Sequence, residues 1–190
     1  MVADALFAAG VAIAGLVAPD QTGDVFDLAL LGDDRALADL ARSGLRRAAL
    51  GIGDNDRRRL AAAAALAAGL ALAVVRHPSA VIGRGVVLEA GATVLAGAVV
   101  NAMARIGAGV LINSLAVVEH DSLIGDYAHV APGARILAGA RIGAGTLVGA
   151  GAVVLPGCLV GAGATIGAGA VVLGDIAAGQ RVVGVPARLM

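Results

Sequence analysis

The chain of 190 residues has no lysine and no tryptophan, and its only aromatic rings are two Phe and one Tyr. Its 14 basic residues are therefore all Arg, balanced by 14 Asp and Glu to a net charge of zero. A nucleic-acid binder needs a basic face or rings on which bases stack, and neither is present. One cysteine excludes a disulfide framework within the chain and suits a reducing compartment, so a cytoplasmic location is expected. No charged segment precedes the apolar residues of "MVADALFAAG", which therefore does not read as a secretory signal. Apolar residues make up 59% of the chain, yet no run reaches the ~20 residues of a spanning helix. The longest, "LAAAAALAAGLALAVV" at 60–75, lies between Arg59 and Arg76 and is mostly Ala. It reads as a surface helix followed by a buried strand.

What the chain has in abundance is a beat of six. From Ile82 to Val172, every sixth residue is Ile, Leu or Val without exception. From Val86 to Ala170, every sixth residue is small: Ala in most places, otherwise Val, Ser, Thr or Cys158. Gly often follows the aliphatic position, as at Gly107, Gly125 and Gly143. A helix repeats its faces every 3.6 residues and a strand every two, so neither alone explains six. One large and one small inward residue per six fits a short strand plus a tight corner. Three such units close a triangular coil of 18 residues, and stacked coils form parallel sheets. Sixteen units make a little over five coils, a prism roughly 25 Å long at the spacing between strands.

Residues 1–76 have a different texture. "MVADALFAAG" reads as an amphipathic helix stopped by Gly10, and "VAIAGLV" as a strand followed by the loop "APDQTG". "DDRALADLARSG" reads as a helix opened by Asp33 or Asp34. "RRAALGIGDNDRRRL" reads as a strand, a turn and a new helix capped near Asp54 or Asn55. Alternating helix and strand predicts a small parallel α/β domain over 1–76, with the prism over 77–190.

"IGAGTLVGAGAVVLPGCLVGAGATIGAGAVV" resembles the hexapeptide repeats of the acyltransferases that fold as a left-handed parallel β-helix. A small α/β domain, "GIGDN", "HPSAVIG", "NSLAVVEHDSLIGDYAHVAPGA" and the ending "VVGVPARLM" narrow the resemblance. Together they resemble the sugar acetyltransferases of the sialic acid O-acetyltransferase and UDP-amino-sugar (bacillosamine-type) N-acetyltransferase family. The most specific element is the triplet Glu119-His120-Asp121, with His129 nine residues on and Asn113 seven back. In this family a Rossmann-like α/β subdomain opens with a strand and a G-x-G-G-H-G turn. This chain starts inside the helix that follows, so the subdomain is expected to lack its first strand, and a start upstream of Met1 is expected.

The resemblance implies an acetyl-CoA-dependent homotrimer that acetylates an amino group or hydroxyl of a sugar, often nucleotide-linked, with acyl-CoA bound between neighbouring subunits. It implies that His120 is the general base and that Asp121 tunes it. From the residues alone, either Glu119 or Asp121 could orient the imidazole, because strand alternation puts both on the face opposite His120 unless a corner intervenes. The resemblance further implies that His129 contacts acetyl-CoA at the thioester carbonyl, with backbone contacts near Ala150 and Ala168. Gly53, Asn113 and the Ala18–Asp20 stretch match where the family holds the sugar and its nucleotide, although the family often has an acidic pair where this chain has Ala18-Pro19-Asp20. Arg188 is a candidate contact for a CoA phosphate. Cys158 sits in the small inward slot and reads as core, which argues for direct transfer without an acyl-enzyme. His77 before Pro78 reads as a linker or cap. No metal is expected. Two other readings stand beside this one: a non-catalytic β-helix that binds or supports a partner, and a zinc enzyme of the β-helical carbonic anhydrase type, for which a third ligand is wanting.

Overall fold

The computed structural model describes residues 1–18 and 26–190. From Val75 the chain winds into a left-handed parallel β-helix of about six turns. Its strands are two residues long, apart from Arg181–Val183, and fall into three sheets that form the faces of a triangular prism. Every register step from Val75 to Val172 is 18 residues, and the last rung, Thr165 to Arg181, is 16. His129 lies between Leu111 and Leu147, Val117 between Val99 and Arg135, and Leu123 between Arg105 and Arg141. The three faces differ in what they turn outward. One carries Val81, Val99, Val117, Arg135, Val153 and Val171 and is called the valine face. The arginine face carries Val87, Arg105, Leu123, Arg141 and Leu159. The histidine face carries Thr93, Leu111, His129, Leu147 and Thr165.

The six-residue beat fills the inside. The aliphatic positions from Val94 to Val172 and the small positions from Ala92 to Ala170 are all buried. Each fully buried Val, Leu or Ile contributes about 1.5–3 kcal/mol relative to exposure. Two inward positions are polar and both are satisfied: Ser122 Oγ donates to the Leu137 carbonyl at 3.1 Å and Thr146 Oγ1 to Gly161 at 2.8 Å. The Gly after an aliphatic residue is required by the stacking of coils. A Cβ on Gly125 would stand 2.6 Å from the Ala144 nitrogen of the next coil.

The N-terminal part is built from α1 (Val2–Ala8), α2 (Leu37–Arg42), β1 (Arg47–Ala48), α3 (Asn55–Ala67) and β2 (Ala71–Leu72), with a 3-10 turn at Asp34–Ala36 before α2. The capping residues act as the sequence predicts: Asp33 accepts from the Arg35 N–H and Asp54 from the Arg57 N–H. Two strands differ from expectation. "VAIAGLV" contributes one bridge, Leu16 to Leu30, because only the backbone flanking Leu16 meets a partner. "LALAVV" is divided: Ala71–Leu72 pairs in parallel with β1, while Val75–Arg76 pairs with Thr93–Val94 as the first rung of the histidine face. The apolar run thus serves two sheets in succession. Leu37, Leu50, Ala62, Ala65, Leu70 and Leu72 form the subdomain core, and Tyr127 of the prism packs against it. On the histidine face, Ala5 of α1 shares a second cluster with Val75, Leu95 and Leu111. These clusters seat the subdomain over the upper part of the histidine face and over the corner that carries Tyr127.

Candidate functional site

Each corner of the prism needs one residue with a left-handed backbone, and glycine is the usual occupant, as at Gly139 (φ +67°). At 121 the occupant is Asp, with φ +60°. This corner ends the alternation of the preceding strand. It turns the Asp121 carboxylate back onto His120, where Oδ2 lies 2.8 Å from Nδ1. Glu119 is engaged elsewhere: its Oε2 accepts from Asn101 Nδ2 of the coil above at 2.8 Å. Of the two carboxylates, therefore, Asp121 is the one that pairs with His120. A carboxylate accepting from Nδ1–H leaves the lone pair on Nε2, which has no partner among the described residues. His120 is 59% exposed, on the corner between the valine and arginine faces.

His129 is set in the opposite way. It lies within a strand, on the outer side of the histidine face, and is largely buried under the α/β subdomain. Asn113, the strand-end residue one coil above, is 4% exposed, and both ends of its amide are used. Oδ1 accepts from the Ser114 N–H at 2.8 Å, so Nδ2 must face His129, 3.1 Å from Nε2. An amide N–H pointing at Nε2 requires that nitrogen to be an acceptor, which makes the ring a neutral imidazole. Burial first, and then the nearby Arg58 cation, push the His129 pKa down, while the nearby Gly53 carbonyl, an acceptor for a ring N–H, opposes them. Gly53, Asn113 and His129 thus come together at the junction of the subdomain and the prism. His120 and Asp121 are not among them, because their corner is the one opposite the histidine face.

The remaining sequence candidates are dispersed. Ala150 and Ala168 are exposed, on the corner between the histidine and valine faces, below His129. Gly133, Gly151 and Gly169 share that corner, with open space where a Cβ would stand. It forms a ridge almost bare of side chains. Ala18 is half-buried, its N–H donating to the Gly32 carbonyl at 3.0 Å, and Asp20 lies outside the described residues. Arg188 is exposed and bonds its own neighbour, the Ala187 carbonyl. His77 caps a turn: the Ser79 N–H and hydroxyl both meet its Nδ1.

The hexapeptide family described as bacterial transferase hexapeptide (six repeats) matches residues 103–138 and 139–174. Among solved structures, a variant of perosamine N-acetyltransferase from Caulobacter crescentus, in complex with CoA and GDP-perosamine, is 37% identical, with a TM-score of 0.97 over 100% of this chain and 90% of that one. The acetyltransferase domain of PglB from Neisseria gonorrhoeae FA1090, in complex with acetyl coenzyme A, is 34% identical, with a TM-score of 0.93 over 100% of this chain and 92% of that one. No curated protein matches the chain. The chain belongs to the hexapeptide-repeat sugar acetyltransferases. It is an acyltransferase.

In this acetyltransferase Cys158 is buried in the prism, and burial, followed by the nearby Asp175 charge, pushes its thiol pKa up, which suits a core residue and not a nucleophile. Among the described residues no helix is long and apolar enough to cross a membrane. Sequence reasoning missed Arg58, the middle residue of "RRR", which is 1% exposed and lies beside His129. It also missed Met103, Leu115 and Tyr127, which hold left-handed corners with φ +62°, +58° and +55°. A signal for those three was available. The residue three places after each inward aliphatic is the corner slot, and these positions break its run of glycines.

Proposed function

We propose that the chain transfers acetyl from acetyl-CoA to the amino group of a nucleotide-linked amino sugar by direct attack, with His120 as general base. The observation that carries this reading is the His120–Asp121 pair: an exposed imidazole, fixed through Nδ1 by a carboxylate and carrying its lone pair on Nε2. Nε2 takes a proton from the acceptor amine as the nitrogen attacks the thioester carbonyl. The carbon–sulfur bond then breaks and the CoA sulfur leaves. General-base assistance of this kind contributes about 10²–10⁴ in rate. The choice of N- over O-acetylation, and of a nucleotide-linked sugar, is supported by relatives whose structures hold GDP-perosamine with CoA, or acetyl-CoA.

The reading requires more than one copy of the chain. The valine face lies between the corner of His120 and the bare corner of Ala150 and Ala168. Its outward residues are Val apart from Arg135, an apolar stripe suited to burial. Three such faces around a threefold axis bring His120 of one chain beside the neighbour's Ala150–Ala168 corner and close to the neighbour's His129. The bare corner gives the extended pantetheine arm room to run beside backbone groups. Gly53 and Asn113 flank the acceptor from the subdomain side, and His129 lies beside the thioester. His129 Nε2 faces the Asn113 amide, so in the unliganded chain it is not a ready donor to a developing oxyanion.

The test is release of CoA thiol from acetyl-CoA in the presence of nucleotide-linked 4-amino sugars, with sialic acid as the hydroxyl acceptor. Turnover with an amino sugar is expected. Turnover with sialic acid alone would overturn the N-acetylation reading, and no turnover with any acceptor would overturn the function.

A further inference from the structure

Arg58 is the one fully buried cation among the described residues, and no carboxylate hydrogen-bonds it. Its donors go to oxygens on both sides of the junction. On the subdomain side, Nη1 donates to the Ile52 and Gly53 carbonyls at 3.1 and 3.0 Å, and Nη2 to Asn55 Oδ1 at 2.9 Å. On the prism side, Nε donates to Gly109 at 2.7 Å, and Nη2 to Tyr127 and Ala128 at 2.8 and 3.2 Å. Beside it, Asn55 Nδ2 reaches the Gly145 carbonyl at 2.9 Å. The first turn of α3 is thereby fastened to three successive coils. A fork of five N–H groups suits this task and a lysine does not.

Two of these bonds bear on the site. Ala128 precedes His129, and the Gly53 carbonyl that accepts from Arg58 also lies near the His129 ring and favours its protonation. Resting on the proposed function, we infer that Arg58 is a positioning residue. Its guanidinium fixes the gap between the Gly51–Asp54 loop, where the sugar nucleotide is held, and His129, and keeps that imidazole neutral with Nε2 facing Asn113. A buried cation with no carboxylate bonded to it destabilises a second positive charge beside it. The ionisable groups packed around this junction are Arg58 of α3, Asp54 at its N-cap and Tyr127 from the corner; burial lowers the Arg58 pKa and the Asp54 charge opposes that. Arg58 thus couples the two substrate positions: a shift of the nucleotide loop would be felt at the acetyl-donor residue through one guanidinium.

The chain has only three histidines, so its imidazole NMR signals are few, and they can be read without substrate. In the intact chain at neutral pH, His129 is expected to show an unprotonated Nε2 and a protonated Nδ1. An imidazolium, or the Nε2–H tautomer, would overturn the proposal, and neither result depends on acetyl transfer. In Arg58→Gln the His129 midpoint should rise toward the ordinary value of about 6.5, while Arg58→Lys, which keeps the charge, should hold it down. Turnover should fall at least about tenfold in Arg58→Gln, with KM rising for both substrates, and less in Arg58→Lys. A purely structural Arg58 would give equal losses in the two variants with no movement of the His129 midpoint, and that result sinks the inference. If Arg58→Gln does not fold, the tautomer of the intact chain and the titration of Arg58→Lys still decide it.

Discussion

The corners of the prism at 103–127 and those at 133–169 share one backbone and differ in side chains. In the lower coils every left-handed slot is Gly: 133, 139, 145, 151, 157, 163 and 169. In the upper stretch the same slots read Met103, Gly109, Leu115, Asp121 and Tyr127, at nearly the same φ. A side chain other than Gly in this conformation costs roughly 1 kcal/mol, less for Asp, whose short polar side chain tolerates it. Met103 and Leu115 lie over Gly85 and Gly97 of the coil above but stay well exposed, so little within the chain offsets that cost. The strained slots coincide with the stretch that holds Asn113, His120 and His129. Backbone strain collected in one place points to a site, and here the inference runs from the observed φ values to function. Below it, the same coils without side chains at their corners leave the ridge on which a long, thin ligand can lie.

The comparison can be broken at four points, in falling order of effect. The inward beat is common to both regions, so Ile136→Ala should destabilise by about 2–5 kcal/mol in chemical unfolding, whereas Arg135→Ala next to it should stay within about 0.5 kcal/mol. Glycines of the two kinds should also part company. Gly125→Ala forces a Cβ against the Ala144 nitrogen and should cost about 1–3 kcal/mol, while Gly163→Ala meets open space and should cost only the left-handed strain of about 1 kcal/mol. Asp121→Asn keeps the corner but no longer offers a charged acceptor to Nδ1, so turnover should drop about tenfold or more with the melting temperature unchanged. Leu115→Gly relieves strain without opening a cavity, so its melting temperature should stay level or rise by a change worth no more than about 1 kcal/mol. A marked fall would show that Leu115 packs against more than Gly97, and the neighbouring subunit is the first place to look.

The prism was legible because its rule is local. One aliphatic and one small residue per six specify the coil, and a single slip of register would turn the whole beat outward, so the pattern has to persist in the sequence. The triplet at 119–121 was legible as chemistry because it owes nothing to the core. Which carboxylate serves His120 was not legible, since that depends on where the corner falls and not on alternation. The N-terminal strands were harder to read, because a strand exists only where a partner lies alongside. "VAIAGLV" looks like a strand and pairs at one residue, while "LALAVV" looks like one strand and serves two sheets. Arg58 was hidden for a related reason. An arginine in a run of three on a helix normally faces water, and only the packing of α3 on a corner 50 to 70 residues away shows that this one is enclosed by carbonyl oxygens.

His120 is well exposed, and its ring takes no part in the core, so replacing it should leave the fold and the assembly intact. The most direct test of the account is therefore the rate of CoA-thiol release by His120→Ala, with acetyl-CoA and a nucleotide-linked 4-amino sugar, alongside the unaltered chain in the same oligomeric state. A loss of about 10²–10⁴ in turnover is expected, with KM for acetyl-CoA little changed. A His120→Ala chain that turns over at the unaltered rate would contradict it.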